Sequence, residues 1–332
     1  MKILKFLGRL VLIVIVIAGL VLAWAFATAH SRYEKKWTAH DATFPIPFPL
    51  DSAAKAAIAV ERVAGGGPAK DPLAGVDLQS LAMERAVQNG DHLIHSRLGC
   101  DGCHGADLGG GVIIDVPPVG YWAAPNLTSG QGSVTNGFGP HDWDLAVRHG
   151  IRHTGTSSSM PCKDFKAMTD HELSDVVAYI KTQKPVDRLI KPVRFGPVFA
   201  FLAATDPNML AAFTIDHLAA HEVEPPPTAE TLEFGKHLIP ACSGCHNPRL
   251  SGGKMAGDPN MPIVANITPD ATGIKNWTEA DFFKAMREGK RPDGTDLQKQ
   301  MPWEWFRNMT DVELKALWLY LQSVPAVPKG VQ

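Results

Sequence analysis

The pentapeptide Cys100-Asp101-Gly102-Cys103-His104 has a second copy, Cys242-Ser243-Gly244-Cys245-His246. Two cysteines separated by two residues and followed by histidine form the attachment signature of a c-type haem. The thiols add to the vinyl groups of the haem, and the adjacent imidazole becomes an axial ligand of the iron. A thioredoxin-like pair, half of a zinc site or a disulfide would not require a histidine after both pairs. The sequence therefore predicts two covalently bound haems c, attached to Cys100, Cys103, Cys242 and Cys245, with His104 and His246 as iron ligands.

Composition excludes several classes of protein. With 332 residues the chain is long enough for two domains and additional segments, and a hydrophobic content of 45% is ordinary for a globular protein. A formal net charge of −2 indicates no basic surface for nucleic acid, so no nucleic-acid partner is expected. Four of the five cysteines belong to the two motifs and only Cys162 remains, so a disulfide framework cannot form within one chain.

Residues 1–30 are predicted to be a membrane anchor. Leu10 to Ala29 form a run of twenty residues without a charge, enough to cross a bilayer core of about 30 Å as a helix. Three basic residues precede this run: Lys2, Lys5 and Arg9. Such a flank favours a cytoplasmic N-terminus. A cleaved signal peptide is the alternative, because Ala27-Thr28-Ala29 fits a cleavage site, but its apolar region would exceed the usual length of about 7–15 residues. We expect a single-pass protein of a bacterial inner membrane with its haem domains in the periplasm.

Two copies of one sequence pattern follow, over residues 85–188 and 229–328. In each copy a glycine cluster, an Asn-x-Thr triplet, an Arg-x-Gly triplet and a Met-Pro pair come after the haem motif. Each copy closes on a predicted helix that begins with a capping box, Thr169-x-x-Glu172 or Thr310-x-x-Glu313. No run alternates like a strand. The predicted fold class is therefore all-α, with an N-terminal transmembrane helix followed by two haem domains in tandem.

Two segments lie outside the repeat. Residues 31–84 are predicted to be a linker that is extended from Phe44 to Pro49 and then forms a short helix capped by Asp51. The extended part either lifts the domains off the membrane or packs on their surface. Residues 189–228 are apolar in parts and are expected to pack against both domains, with a membrane-surface or partner contact as the alternative. His92 and His237 recur at equivalent positions before the motifs and are expected to face the surface.

The second axial ligand of each iron is predicted to be a methionine. Met160 lies 56 residues after His104, and Met301 lies 55 residues after His246. Proline follows each methionine and disfavours helix there, so both should lie on an extended loop just before the closing helix. A thioether opposite an imidazole raises the reduction potential, which suits electron transfer. The alternative is that both methionines only fill gaps in a hydrophobic core.

The order of C-x-x-C-H, Asn-x-Thr, Arg-x-Gly, Met-Pro and Met-Thr-Asp resembles class I cytochrome c domains. In particular, the chain resembles the multihaem, membrane-attached cytochrome c subunits that accept electrons from periplasmic dehydrogenases for alcohols, aldehydes or gluconate. The resemblance implies that five side chains contact haem propionates or the loops around them: Asn126, Asn266, Trp277, Arg148 and Arg287. The alternatives are Asx-turns for the asparagines, surface salt bridges for the arginines and core packing for the tryptophan.

These observations predict a membrane-anchored dihaem electron carrier and not an enzyme. Its donor would be a quinol-oxidising complex or a dehydrogenase, and its acceptor a terminal oxidase or a soluble cytochrome. A dihaem enzyme is the alternative. A cytochrome c peroxidase-like protein would need one iron with an open site, whereas both copies contain Met-Pro. A thiosulfate dehydrogenase-like protein would replace one methionine ligand by cysteine, and Cys162, two residues after Met160, keeps that alternative open.

Overall fold

The computed structural model describes residues 2–254 and 262–331, and these residues are mostly helical. The α-helices in the described ranges are α1 (Lys2–Tyr33), α2 (Ser52–Ala64), α3 (Leu78–Leu93), α4 (Cys100–His104), α5 (Pro140–Asp144), α6 (Asp170–Thr182), α7 (Pro197–Thr205), α8 (Leu232–Leu238), α9 (Pro240–His246), α10 (Glu279–Glu288), α11 (Trp303–Phe306) and α12 (Asp311–Ser323). Short π-helical turns, Ile94–Leu98 and Leu145–His149, continue α3 and α5. Single 3₁₀ turns lie at Cys162–Asp164, Pro207–Met209 and Ala211–Thr214.

A small sheet corrects the prediction of an all-α chain. Strands β1 (Gly111–Val116), β2 (Gly120–Ala124) and β3 (Arg194–Phe195) form an antiparallel sheet in the order β1-β2-β3. In β1 polar and apolar residues do not alternate, because apolar side chains are exposed: Val112 is 59% and Ile113 is 52% exposed. The alternation that usually predicts a strand is therefore absent. The β-branched run in β1 favours a strand, and β3 joins from a distant part of the chain that local patterns cannot identify.

The two sequence repeats form two similar helical units. In the N-terminal unit (α3 to α6) α3 packs against α6, and in the C-terminal unit (α8 to α12) α8 packs against α12. Gly90 and Gly235 lie at the two crossings, where an added Cβ would overlap the carbonyl oxygen of Asp175 or of Ala316. Only glycine permits this close approach of two backbones. The same crossing is thus built twice, from residues that the sequence repeat had already aligned.

The predicted closing helices are confirmed together with their caps. Both begin with a complete capping box, in which the Thr169 or Thr310 side chain accepts from the backbone N–H of the glutamate three residues later. Apolar side chains at helical spacing face inward, and Leu173 on α6 and Leu314 on α12 are fully buried. Burying a leucine in this way contributes about 1.5–3 kcal/mol to the free energy of unfolding.

The proline-rich part of the linker packs on the N-terminal unit. Phe44 is 6% exposed and belongs to the core of that unit. The Ser174 hydroxyl on α6 donates to the Pro45 carbonyl at 2.7 Å. The helix predicted after this part is present as α2, and the Asp51 side chain accepts from the Ala54 N–H at 2.6 Å. Of the two possibilities for Phe44 to Pro49, the structure shows packing on the globular surface.

The N-terminal helix and the inter-domain segment pack against each other. Helix α1 is long and apolar enough to cross a membrane, by length and composition. Near its end, Ala25 and Ala29 are fully buried against α7 of the inter-domain segment, where Ala200 and Ala203 are also fully buried. Small side chains of this kind let two helices approach closely, as they do within membranes. The segment was expected to pack against both domains, and its described contacts are with α1 and the N-terminal unit.

Candidate haem-binding sites

Each C-x-x-C-H motif forms a helical turn that presents its histidine in one tautomer. The Nδ1–H of His104 donates to the Pro125 carbonyl at 2.9 Å, and that of His246 donates to the Ala265 carbonyl at 2.8 Å. This hydrogen bond leaves the Nε2 lone pair free for a metal. Burial lowers the pKa of both imidazoles despite the opposing effect of the carbonyl, so each is neutral at pH 7. Both histidines therefore fit the role of iron ligand.

The cysteines of the two motifs have matching environments. Cys100 and Cys242, the first of each pair, are half-buried and pack against the core of their own unit. Cys103 and Cys245, the second of each pair, are exposed. All four are free thiols, as covalent attachment to haem vinyl groups requires. The residues of both motifs thus fit a covalently attached haem.

Met160 and Met301 occupy the predicted loops before the closing helices. Both are half-buried. The two loops have the same turn, because the backbone N–H two residues after each methionine donates to the methionine carbonyl, at 2.9 Å after Met160 and 2.8 Å after Met301. Met301 packs against the same hydrophobic core as Cys242 and the half-buried Trp277. Ligation of iron by the two methionines remains a prediction.

Arg148 and Arg287 have partners other than the predicted propionates. The guanidinium of Arg148 donates to the Met168 carbonyl at 3.0 Å and to the Asp170 carboxylate at 2.8 Å, and its side chain is fully buried. Arg287 makes the equivalent pair of hydrogen bonds at the start of α12. In both units the arginine therefore ties the Arg-x-Gly turn to the N-terminus of the closing helix. These contacts are salt bridges, as in the alternative, but that of Arg148 is buried and not on the surface.

Asn126 and Asn266 also bond within the protein. The Oδ1 of Asn126 accepts from the Thr128 N–H at 2.9 Å, and its Nδ2 donates to the Val186 carbonyl at 2.6 Å. Asn266 repeats both contacts, the second with the Val327 carbonyl at 2.7 Å. The first bond is an Asx-turn, and the second holds the chain that leaves the closing helix. A contact between either asparagine and a haem propionate remains a prediction, and the hydrogen bonds described here do not support it.

Cys162 is a buried thiol that bonds to the backbone. Its Sγ–H donates to the Ala146 carbonyl at 3.2 Å, and the residue is fully buried. Burial raises the pKa of this thiol to about 12, so it is protonated at neutral pH. This is the environment of a small packing residue.

The two haem motifs lie at the contact between the units. An added Cβ at Gly102, between the cysteines of the first motif, would overlap the indole of Trp305 in the C-terminal unit. An added Cβ at Gly244 in the second motif would overlap the Asp164 carboxylate in the N-terminal unit. Trp305 and Asp164 hold equivalent positions, each four residues after the predicted methionine ligand. Each motif is therefore covered by the same loop of the other unit, and a cavity of about 180 Å³ lies between them.

Reciprocal histidine–glutamate contacts border this contact, where His92 and His237 lie on the surface of their own unit but face the other unit rather than solvent. The Nε2 of His92 lies 2.8 Å from the Glu313 carboxylate, and that of His237 lies 2.7 Å from the Glu172 carboxylate, which Arg97 also contacts. Both glutamates are the buried third residues of capping boxes. In each unit, therefore, the histidine that precedes the haem motif contacts the capping-box glutamate of the other unit. The recurrence of these histidines in both copies could have indicated a shared role, but the sequence does not show that they contact the opposite unit.

Comparisons with known proteins agree with the site. The sequence profile of the cytochrome c family matches residues 87–184. The fructose dehydrogenase cytochrome subunit of Gluconobacter japonicus is 26% identical over 279 residues, which are 73% of this chain and 53% of the relative. The cytochrome c subunit of the quinone-dependent alcohol dehydrogenase of Gluconacetobacter polyoxogenes is 26% identical over 276 residues, 73% of this chain and 56% of the relative. The chain therefore spans about half the length of these two relatives.

A third relative has a length closer to that of this chain. The dihaem c-type cytochrome of Cereibacter sphaeroides is 25% identical over 255 residues, which cover 69% of this chain and 83% of the relative. All three relatives are cytochromes by name, and two are the cytochrome subunits of dehydrogenases.

Proposed function

We propose that this chain, in which residues 87–184 match the cytochrome c family and whose relatives include cytochrome subunits of dehydrogenases, is a membrane-anchored dihaem cytochrome that carries electrons in the periplasm. The observation that supports this most is the reciprocal covering of the two C-x-x-C-H motifs at the contact between the units. When bound, each haem supplies one-electron redox chemistry. The protein attaches the two haems on facing surfaces, orients their histidines and holds the facing surfaces together.

The proposed donor is a dehydrogenase or a quinol-oxidising complex, and the proposed acceptor is a terminal oxidase or a soluble cytochrome. The two dehydrogenase subunits among the relatives support the first kind of donor. The packing of α1 on α7 supports an uncleaved anchor, because removal of residues 1–29 would uncover the fully buried Ala200 and Ala203. The anchor would keep the haem units at the periplasmic face of the inner membrane, beside membrane-bound donors and acceptors.

Haem content tests the first part of the proposal. We expect two covalent haems in the full-length protein, and one in each of the double variants Cys100→Ser/Cys103→Ser and Cys242→Ser/Cys245→Ser, because thioether bonds need the thiols. The measurement is a haem stain of the denatured protein together with its intact mass. Cys162→Ser is the matched control and should retain both haems. One haem in the unmodified protein would contradict the proposal.

Axial ligation separates a carrier from an enzyme. We expect two low-spin haems in the visible and low-temperature EPR spectra of the oxidised protein, and the loss of one His/Met spectrum in each of Met160→Ala and Met301→Ala. Met83→Ala is the control, because Met83 is 37% exposed on α3. A high-spin or thiolate-ligated haem in the unmodified protein would indicate an enzyme. Peroxide and thiosulfate should then be turned over faster than by the haem-free cysteine variants.

A reduction assay tests the proposed partners. The full-length protein in detergent would be mixed with membranes that lack it, and its haem spectrum followed after addition of an alcohol, an aldehyde, gluconate or a quinol. Reduction by one of these, followed by reoxidation when an oxidase is present, is expected of a carrier. Haems that stay oxidised with every donor would contradict the proposed position in a respiratory chain.

A further inference from the structure

Three histidines and one aspartate converge outside the haem sites. We name His40, Asp144, His149 and His221 the His₃Asp cluster, and one side-chain ligand atom from each lies within 4.8 Å of all the others. The cluster joins three parts of the chain, since His40 belongs to the linker, His221 to the inter-domain segment and the other two to the N-terminal unit.

The spacing of these atoms suits a tetrahedral metal ion. The Nε2 atoms of His149 and His221 are 3.1 Å apart. The Oδ2 of Asp144 lies 3.4 Å from the Nε2 of His149 and 3.9 Å from that of His40, and its Oδ1 lies 3.5 Å from the Nε2 of His221. An ion bound tetrahedrally with bonds of about 2.0–2.1 Å separates its ligand atoms by about 3.3 Å. The four distances, from 3.1 to 3.9 Å, lie close to that value, and side-chain shifts would bring the ligand atoms onto one ion.

The hydrogen bonds behind the cluster leave ligand atoms available. The Nε2–H of His217 donates to the Ala212 carbonyl at 2.8 Å, so its Nδ1 accepts the Nδ1–H of His149 at 3.0 Å. The Nδ1 of His40 faces the His217 carbonyl at 3.4 Å. In both His149 and His40 the Nδ1 is therefore engaged outside the cluster and the Nε2 faces into it. Such a hydrogen bond on the second ring nitrogen is the usual support of a metal-bound histidine.

Asp144 has a buried oxygen without a partner. Its side chain is fully buried, and Oδ2 makes no hydrogen bond, whereas Oδ1 accepts from the Arg148 Nε at 2.6 Å. Leaving a buried charged acceptor unpaired costs about 1–3 kcal/mol or more. A cation between Oδ2 and the imidazoles would remove this cost, and Arg148 would hold the carboxylate as an outer hydrogen-bond donor.

We propose that the His₃Asp cluster binds one Zn²⁺ as a structural site, separate from the haem irons. Nitrogen and carboxylate ligands suit zinc, and four protein ligands are typical of structural rather than catalytic zinc. The ion would fasten the linker and the inter-domain segment to the N-terminal unit. It would thereby fix the position of that unit relative to α1.

Metal analysis tests the proposal on the full-length protein, purified in detergent without a histidine tag. The protein would be incubated with ZnCl₂, desalted, and analysed for zinc relative to haem iron. We expect one zinc per chain, and an absorption-edge spectrum that fits three nitrogens and one oxygen at about 2.0–2.1 Å. His40→Gln, His149→Gln and His221→Gln should each weaken zinc binding by more than about 100-fold, since outer partners alone account for 10–100-fold.

His153→Gln is the matched control, because His153 is exposed and lies four residues after His149. It should keep one zinc. Zinc should also raise the melting temperature of the unmodified protein and of the control but not of His40→Gln, with the haem spectrum unchanged. His40 lies outside the haem units, so this variant remains informative if a substitution at His149 prevents folding. Absence of zinc from the unmodified protein, or equal zinc in His40→Gln, would overturn the site and indicate a metal-free histidine network.

Discussion

Asn126 and Asn266 show how a single side chain supports each unit. Each amide closes an Asx-turn and also holds the chain that leaves the closing helix. The family resemblance implied a propionate contact for the same residues. A structural role and a propionate contact predict different effects of substitution, because only a propionate contact acts directly on the charge next to the haem.

Asn266→Ala is expected to lower the free energy of unfolding by about 1–3 kcal/mol, since it leaves the N–H of the buried Thr268 without its partner and removes one of the two hydrogen bonds to the Val327 carbonyl. The reduction potential should stay unchanged. Guanidinium unfolding and a redox titration measure the two quantities. Asn276→Ala, an exposed asparagine nearby, is the control. A shifted potential with unchanged stability would instead establish a propionate contact.

At the scale of elements, the C-terminal part of α1 packs against another helix of the protein. Its last turns are buried against α7, and the Arg32 Nη1 donates to the Ala203 carbonyl at 2.6 Å. Cleavage after Ala29 would remove the partner of α7 and expose apolar surface to water. We therefore expect α1 to be retained, on a packing criterion that hydropathy alone does not contain.

The mature protein is accordingly expected to retain α1. Its intact mass should equal that of the chain from its first residues plus two haems. Ala27→Leu, at an exposed position within the candidate cleavage site, serves as the control and should change the mass only by the substitution. A mature chain that begins at His30 would contradict this prediction.

At the scale of the whole molecule, Glu172 and Glu313 each have two roles. Each caps the closing helix of its own unit and contacts a histidine of the other unit. Burial acts to raise the pKa of Glu172, but the charge of Arg97 and the hydrogen bond to His237 outweigh burial and lower it. The pKa of Glu313 is lowered in the same way through His92. Because the folded protein favours the ionised form, the stabilisation is complete above the ordinary glutamate pKa of about 4.3 and is lost as the pH falls through the lower folded values.

The double variant Glu172→Gln/Glu313→Gln should be less stable than the unmodified protein by about 3–5 kcal/mol at neutral pH, because it leaves Arg97 without its buried partner. The melting temperature of the unmodified protein should fall more steeply than that of the variant from about pH 5 to about pH 3. Glu304→Gln, at an exposed glutamate beside Trp305, should follow the unmodified protein. Parallel pH profiles of all three proteins would contradict an electrostatic contact between the units.

Local features of the sequence determined much of this protein. Capping boxes and helical spacing predicted the closing helices, and the two haem motifs identified the four cysteines and two histidines of the candidate sites. Each of these depends on interactions within a few residues, so the order of the amino acids contains them. The repeat extended the prediction to the loops that carry Met160 and Met301.

Only the tertiary structure decided the features that join distant parts of the chain. The β1-β2-β3 sheet, the crossing of His92 and His237 to the opposite unit, and the His₃Asp cluster all bring together residues far apart in sequence. Arg148 shows the same limit, because its charge is evident in the sequence but its partners are set by the fold. The physical reason is that such contacts depend on how buried surfaces pack in space, and several packings are compatible with the same local pattern.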